Sequence, residues 1–476
     1  GVGYLLRSTS PIEQYRPQAK LFNADNALPH IAALSSAEFA GRETGTIGNR
    51  KAAEYIAAQM EAVGLFPAGD NDTFIQSITN VRAHLSGMPT MEIIDESGQT
   101  LRSLVYREDF VEHVYQTPLL GEASAAVVGV VLSESTGDAL DQRLPIISDS
   151  LEDKILIIRQ SDLDKLDVRR GVGYLIIADD PDFTQKRFVY PQGNMFQLQK
   201  TTPSALISPA LADTLLSPAG GLAAMDALAR SLPPGSYGET GLGSRVHLEI
   251  PLAEPDNSEV YYNVIGYIPG FDAMSGLNGQ VIIVSAYFDG VGVDPTGALY
   301  PGANDNASGV AAMLEIARVL KQEALFNPDK TVVFVAWSGG ERQEALSDSE
   351  VMNAKSGFGL LNVAVILELS GVGAGSGSGI AIGQGTAFRL ANLITESARR
   401  LNVPVTPRGK GPHFDQTTQL AFGGREALSA YLHWDGSNWL AHTPQDTFAI
   451  IDPQKLQSTG ETALLVLTVI SREVNY

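Results

Sequence analysis

The stretches "VIIVSAYFDG", Val281–Gly290, and "TVVFVAW", Thr331–Trp337, decide the fold class of this chain. Each is a mostly apolar, β-branched run that ends at polar or glycine residues, as in strands buried on both faces of a sheet. Between them lie the turn "YPGANDNASG" and a helix predicted over Ala307 to Gln322. Strands that alternate with helices predict an α/β fold, with a mostly parallel mixed sheet flanked by helices.

The same alternation extends in both directions from these strands. Downstream come strands at "VAVILEL" and "GIAIG", a helix across "TAFRLANLITESARRL" and a final helix after Pro453. Upstream, apolar side chains at helical spacing predict a helix from Asn49 to Val63, with Gly64 ending it. We expect the strands near Val281–Ala286, Thr331–Trp337 and Val363–Glu368 to be neighbours in one sheet. Ligands of such sheets bind beyond the carboxyl ends of the strands.

The middle of the chain has a different residue pattern. Short β-type runs such as "GEASAAVVGVVL" and "KILIIRQ" replace the alternating pattern, and Pro and Gly cluster between Ser231 and Gly243. We therefore predict one α/β domain over residues 1–98 and 246–476. An inserted, mostly β domain is predicted over residues 99–245.

Composition excludes several classes of function. A net charge of -21 argues against nucleic-acid binding, because no basic face could dominate the field of the protein. The absence of cysteine excludes disulfides, thiol catalysis and thiolate metal sites. No apolar run reaches the roughly 20 residues that span a bilayer, so we expect no membrane span. The acidity and the start "GVGYLLRSTS" predict a periplasmic or extracellular protein, with an N-terminal signal or anchor segment removed.

Polar residues follow the predicted strands or stand in polar turns. The candidates are Tyr287, Asp289, Asp305, Glu341, Glu368 and His442. Four of them have an ordinary structural explanation: Asp305 could cap the helix that begins near Asn306, Glu341 and Glu368 could be solvated, and His442 could be a turn residue. Taken together, these three carboxylates and one imidazole at the same sheet edge instead suit a divalent metal site.

Several segments resemble one family. "FAGRETGTIGNRKAAEYI", "NVIGYIPG", "PGANDNASGVAAMLEIAR", "VVFVAW" and "HTPQDT" are similar, in order, to segments of the bacterial zinc aminopeptidases of the aminopeptidase Y and glutamate carboxypeptidase type. Those enzymes carry two co-catalytic zincs, and the inserted region resembles the protease-associated domain that many of them contain. The resemblance implies zinc as cofactor and peptide or protein N-termini as partners.

The resemblance also implies residue roles, which this chain keeps only in part. The family's first zinc-binding histidine, two residues before an aspartate, corresponds to Tyr287, and the aspartate is kept as Asp289. The bridging aspartate corresponds to Asp305. The family's Glu-Glu pair, a general base followed by a zinc ligand, reads Gly340-Glu341 here.

Two further metal ligands of the family have counterparts. The acid that binds the second zinc best matches Glu368, and the last histidine ligand corresponds to His442. The ligand set Asp305, Glu341 and His442 therefore remains for one zinc. The second site, formed by Tyr287, Asp305 and Glu368, is degraded, because a phenol with a pKa near about 10 is a poor zinc ligand.

These departures predict at most one zinc and a damaged enzyme. General acid–base catalysis contributes about 10²–10⁴-fold, and Gly340 cannot supply it. We expect a protein that is inactive or strongly impaired in peptide hydrolysis, a peptide-binding pseudo-peptidase. Two alternatives remain open: an active aminopeptidase with one zinc and a displaced base, for which Glu344 is the candidate, and a single-zinc enzyme similar to glutaminyl cyclases.

Overall fold

The structure is a computed structural model. It describes residues 10–79, 84–113, 121–136, 143–168, 170–189, 202–253, 260–270, 280–322, 328–342, 363–383, 386–407, 421–422, 425–426 and 428–473. The chain forms two compact units. The first comprises Gly1–Asn80 with Asn257–Tyr476, and the second comprises Val81–Asp256.

The elements are numbered in chain order within the described residues. The strands are β1 Phe66–Pro67, β2 Ile75–Thr79, β3 Thr90–Ile94, β4 Thr100–Leu104, β5 Phe110–Glu112, β6 Gly121–Leu132, β7 Leu144–Ile146, β8 Ile155–Arg159, β9 Leu166–Val168, β10 Gly173–Ile177, β11 Ser204–Ile207, β12 Tyr237–Ile250, β13 Val260–Ile268, β14 Val281–Tyr287, β15 Thr331–Trp337, β16 Val363–Leu369, β17 Ile380–Ile382, β18 Val405–Pro407, β19 Ala421–Phe422, β20 Arg425–Glu426 and β21 Leu428–Trp434. The α-helices are α1 Pro11–Ala19, α2 Ala24–Leu34, α3 Ile47–Val63, α4 Pro209–Leu216, α5 Gly221–Ser231, α6 Ser308–Gln322, α7 Phe388–Arg400 and α8 Pro453–Arg472.

The first unit is built on a mixed sheet with a parallel centre. Its strand order is β1-β13-β15-β14-β16-β21-β17-β18, with β2 also paired to β13. The pairs β14–β15, β14–β16 and β16–β21 are parallel, whereas β13 is antiparallel to β15. The predicted neighbours are therefore adjacent, and the predicted α/β fold with a mostly parallel mixed sheet is confirmed.

Both faces of the central strands are buried. Every residue of β14 and β15 is buried, which explains why their sequences are apolar without alternation. Ile282, Val284 and Phe334 belong to a large core formed with the helices. Tyr287 and Trp337 belong to a smaller cluster on alternate positions of the same strands. The last residues of these strands are thus held rigidly, where functional residues follow.

Helix α3 ends at Val63, as its sequence predicts, and begins at Ile47, two residues before the predicted Asn49. The side chain of Thr46 accepts a hydrogen bond from the backbone N–H of Asn49 at the start of α3. Gly64 ends α3 with a φ of 85°, a left-handed conformation that glycine adopts without steric cost. These ends fix the segment that precedes α3, which contributes to the site described below.

The second unit is a sheet covered by two helices. Its strand order is β4-β3-β12-β6-β8-β10-β11-β5, and α4 and α5 pack their apolar side chains into its core. The cluster of Pro and Gly before Gly243 leads into a strand of 14 residues, β12, whose register shifts near Glu239 and Leu242. Such bulges let glycine-containing strands stay paired. The predicted boundary at 245/246 falls inside β12. Among the described residues, no helix is long and apolar enough to cross a membrane.

Truncating Phe334 tests the packing of the first unit. Phe334 lies on β15 and is fully buried, so Phe334→Ala should lower the free energy of unfolding of this unit by about 3–5 kcal/mol. Phe388→Ala is the matched control, because Phe388 is 79% exposed and should matter little. Urea unfolding followed by tryptophan fluorescence measures both variants. Equal effects of the two substitutions would contradict this packing.

Candidate metal centre

Three predicted ligands converge beyond the carboxyl ends of the central strands. Nε2 of His442 lies 2.8 Å from Oε2 of Glu341 and 3.3 Å from Oδ2 of Asp305. One ligand atom from each residue lies within 4.8 Å of the others. The side chains of Asp305 and Glu341 are almost fully buried, and that of His442 is 13% exposed. Two carboxylates and one imidazole thus share a small buried volume.

Asp305 lies in the turn Ala303–Ala307 before α6, and two asparagines hold that turn. The side chain of Asn304 accepts from the backbone N–H groups of Gly373 and Ala374. The side chain of Asn306 accepts from the backbone N–H of Gly309 and so caps α6. Because Asn306 does the capping, the carboxylate of Asp305 is left to face the site.

Asp446 supports the same turn from the segment that carries His442. Its carboxylate accepts from the backbone N–H of Asn304 at 2.7 Å and of Asp305 at 3.0 Å. Burial, and then the charge of Asp305, raise the pKa of Asp446 to about 7. Asp446 therefore ties the turn of Asp305 to the loop of His442.

Glu341 is positioned by Asp289. The carboxylate of Asp289 accepts from the backbone N–H groups of Gly340 at 2.9 Å and Glu341 at 3.1 Å, and from the hydroxyl of Thr44 at 2.9 Å. Burial, and then the charge of Glu341, raise the pKa of Asp289 to about 6, although these hydrogen bonds oppose the shift. Asp289 thus orients the short turn Gly340–Arg342 that begins just after β15.

The imidazole of His442 responds to the two carboxylates beside it. Burial lowers the pKa of His442, but the charges of Glu341 and Asp305 outweigh it and raise that pKa to about 9. The backbone of His442 has a φ of 63°, which non-glycine residues adopt uncommonly and often at functional positions. The negative charges of Glu341 and Asp305 therefore favour a cation beside His442.

Tyr287, the last residue of β14, also contacts the site. Its hydroxyl donates a short hydrogen bond to Oδ1 of Asp305, and its side chain is 3% exposed. Burial, and then the charges of Asp305 and Glu341, raise the pKa of Tyr287 well above its ordinary value. The phenol is therefore a neutral hydrogen-bond donor at neutral pH.

Gly340 packs directly against Tyr287. A Cβ added at Gly340 would lie 2.6 Å from Cγ of Tyr287 and closer still to its Cβ. Real Cβ atoms do not approach other carbons so closely, so a side chain at position 340 requires the backbone to shift. The two positions that depart from the family pattern thus touch each other.

A fully buried arginine supports the loops around the site. Arg42 donates to the carbonyl oxygens of Phe288 (2.7 Å), Leu34 (2.6 Å), Pro301 (2.7 Å) and Gly302 (2.8 Å). Burial lowers the pKa of Arg42, and the nearby charges, Asp446 first, oppose that shift. Arg42 therefore links the segment before α3 to the loops that follow β14 and precede Asp305.

The remaining predicted residues have different positions. Glu368 is the second-to-last residue of β16, opposite Ser285 and Tyr431 in register, and is not a member of the three-residue group. Glu344 lies outside the described residues.

Sequence reasoning missed Arg42 and Asp446 as site residues. Both lie in quoted family segments, "FAGRETGTIGNRKAAEYI" and "HTPQDT", which were the available signal.

The donor set fits zinc. Zinc accepts carboxylate oxygen and imidazole nitrogen at about 2 Å, which places tetrahedral ligands roughly 3–3.5 Å apart. The 3.3 Å separation of Nε2 of His442 from Oδ2 of Asp305 agrees with that spacing, and the 2.8 Å separation from Oε2 of Glu341 is slightly shorter, as in a hydrogen bond. Asp305, Glu341 and His442 would hold the ion, and the buried acidic surroundings would favour its charge.

Removing the buried guanidinium tests the role of Arg42. Arg42→Met should lower the free energy of unfolding by about 3–5 kcal/mol, because it leaves buried carbonyls and carboxylates uncompensated. Arg50→Met is the control, because Arg50 pairs with Glu54 at an exposed position and its loss should matter little. Chemical denaturation of both variants measures this. An Arg42→Met protein as stable as the control would contradict the role.

Adding one methyl group at Gly340 tests its contact with Tyr287. Gly340→Ala should destabilise the first unit by about 1–3 kcal/mol, because the Cβ has no space, although the φ angle of Gly340 is ordinary. Gly241→Ala is the control, since its Cβ would meet Ala219 at 3.6 Å, an ordinary contact. Thermal unfolding compares the two. A neutral Gly340→Ala substitution would show that the turn moves freely.

Comparison with known proteins finds a family match and related structures. Residues 263–467 match Peptidase family M28. A stretch of 195 residues is 28% identical to Aminopeptidase YwaD of Bacillus subtilis, and it covers 38% of this chain and 39% of that protein. The match thus spans well under half of the relative.

Solved structures share the fold over nearly the whole chain. The aminopeptidase from Aneurinibacillus sp. strain AM-1 has a TM-score of 0.66 at 20% identity, covering 96% of each chain. BSAP, a zinc aminopeptidase from Bacillus subtilis, has a TM-score of 0.62 at 20% identity, covering 96% of this chain and 97% of its own. A Peptidase M28 precursor from Shewanella amazonensis has a TM-score of 0.62 at 19% identity, covering 97% of this chain and 96% of its own.

The family match and the shared fold agree with each other and with the motifs of the sequence. The resemblance to zinc aminopeptidases is therefore confirmed: the chain is zinc aminopeptidase-like, and its residues 263–467 match Peptidase family M28.

Proposed function

We propose that this protein holds at most one zinc ion, bound by Asp305, Glu341 and His442, and that it hydrolyses peptides poorly or not at all. Its cleft would then bind peptide or protein N-termini without cleaving them efficiently. The observation that carries the proposal is the packing of Tyr287 directly against Gly340, the position of the family's general base, where this chain has no side chain.

The lost base is the first support. A bound zinc ion would supply Lewis-acid polarisation of a substrate carbonyl oxygen. Hydrolysis also needs a group that accepts a proton from the attacking water, which is worth about 10²–10⁴-fold. Gly340 has no side chain for this task, and the carboxylate of Asp289 is engaged by Gly340, Glu341 and Thr44. Asp289 therefore orients the turn and does not replace the base.

The altered second metal position is the other support. At the position of a family histidine, the hydroxyl of Tyr287 donates to Oδ1 of Asp305, the oxygen that a bridging carboxylate would offer to a second ion. A neutral phenol is a poor zinc ligand. Glu368 is not within the three-residue group around His442. These features favour one ion over two.

Metal content and turnover, measured together, test the proposal. Protein purified without chelator should contain one zinc per chain and show negligible hydrolysis of amino-acid p-nitroanilides. Elemental analysis gives the zinc content per chain, and the absorbance of the released nitroaniline gives the rate of hydrolysis. Glu341→Gln is the control for the metal site, because it should lose the zinc while its fold, followed by circular dichroism, is kept.

The other outcomes decide between functions. Two zincs per chain would contradict the single-ion site. Brisk zinc-dependent hydrolysis by the unmodified protein would overturn the pseudo-peptidase and support an active aminopeptidase with a displaced base. Cyclisation of N-terminal glutamine with one zinc would support an enzyme similar to glutaminyl cyclases.

A further inference from the structure

We propose that Tyr287 is a positioning residue: by donating a hydrogen bond to Oδ1 of Asp305, it leaves Oδ2 alone to face the metal. Asp305 would then serve one ion through one oxygen and could not bridge two. This inference rests on the proposed single-zinc site and assigns to Tyr287 an active part in it. On this account Tyr287 is more than a lost ligand.

The two oxygens of Asp305 face different partners. Oδ1 accepts from the hydroxyl of Tyr287. Oδ2 lies 3.3 Å from Nε2 of His442, and that nitrogen lies 2.8 Å from Oε2 of Glu341. The backbone N–H of Asp305 donates to Asp446, so its main chain is also held. The carboxylate plane is therefore set from both ends, with a single oxygen turned to the ligand group.

The phenol that sets this plane is itself held in place. Tyr287 pairs in register with Trp337 at the ends of β14 and β15. Its carbonyl oxygen accepts from the side chain of Asn306 at 3.1 Å, and its ring packs in the buried cluster that contains Val335. Gly340 closes against its Cβ and Cγ. Because the phenol is already held by this packing, its O–H points at one oxygen with little further loss of side-chain entropy when a metal binds.

The chemistry of the donor explains why this arrangement suits one ion. Groups that hydrogen-bond to a ligating carboxylate orient it and tune its basicity, and their loss typically costs about 10–100-fold in metal affinity. A phenol offers one hydrogen bond and no positive charge. The hydroxyl of Tyr287 can donate to Oδ1 of Asp305, but it does not neutralise the negative charge of the carboxylates. A single cation would balance that charge.

Tyr287→Phe tests the proposal, because it removes the hydroxyl and keeps the ring against Gly340. The control is Tyr106→Phe in the second unit, which removes a comparable buried hydrogen bond, from Tyr106 to Glu112 at 2.6 Å. Zinc alone is titrated into each metal-free protein in competition with a chromophoric chelator. Tyr287→Phe should still bind one zinc, about 10–100-fold more weakly than the unmodified protein, and Tyr106→Phe should bind it as the unmodified protein does.

A spectroscopic readout separates positioning from simple structural damage. In protein loaded with cobalt(II), the visible absorption reports the ligand arrangement. Tyr287→Phe should change that spectrum, because Oδ1 of Asp305 becomes available to the ion. The Tyr106→Phe spectrum should match that of the unmodified protein.

The proposal requires both changes in Tyr287→Phe. Unchanged zinc affinity or an unchanged cobalt spectrum would overturn it while leaving the single-zinc site intact. If the unmodified protein binds no zinc, or binds two, the proposed function fails together with this inference. The stoichiometry of the unmodified protein thus tells the two failures apart.

Discussion

The carboxylate of Asp305 joins everything that distinguishes this site. One oxygen accepts from Tyr287, and the other faces His442, which in turn contacts Glu341. The turn that carries Asp305 is held by its own asparagines and by Asp446. Gly340 packs against Tyr287, so the two departures from the family pattern are in contact. Restoring glutamate at 340 would require the turn to shift even with histidine at 287, since histidine also has a Cβ.

Electrostatics explains why so many polar groups tolerate burial here. Asp289, Asp305, Glu341 and Asp446 lie near one another, and the guanidinium of Arg42 is a permanent positive charge close to all four. Burial raises the pKa of Asp289 to about 6 and that of Asp446 to about 7, so both pKa values lie close to neutral pH. Backbone hydrogen bonds stabilise their charged forms in part. A divalent cation at the open end of this group would complete the balance.

The sequence predicted the sheet, because it depends on local patterns. It also named Asp305, Glu341 and His442, whose side chains lie together in the structure, and their role as metal ligands stays a prediction. Apolar runs identify β14 and β15, and the rule of strand ends places polar residues together. The sequence could not reveal the contacts of Arg42 with Pro301 and Gly302, because more than 250 residues separate Arg42 from them along the chain. The role of Asn306 as helix cap was likewise hidden, because Asp305 is an equally good cap by residue type. The length of β12 was missed because its glycines suggested a boundary, whereas pairing with β6 keeps it a strand.

The central claim is that the site is shaped for a single metal ion, with Tyr287 in place of a ligand. A crystal structure of the zinc-soaked protein, with anomalous differences recorded at the zinc absorption edge, tests it most directly. The account predicts one peak, within bonding distance of Asp305, Glu341 and His442, and a Tyr287 hydroxyl still bonded to Asp305. Two peaks about 3.5–4 Å apart, as in two-metal sites, with the phenol displaced from Asp305, would contradict it.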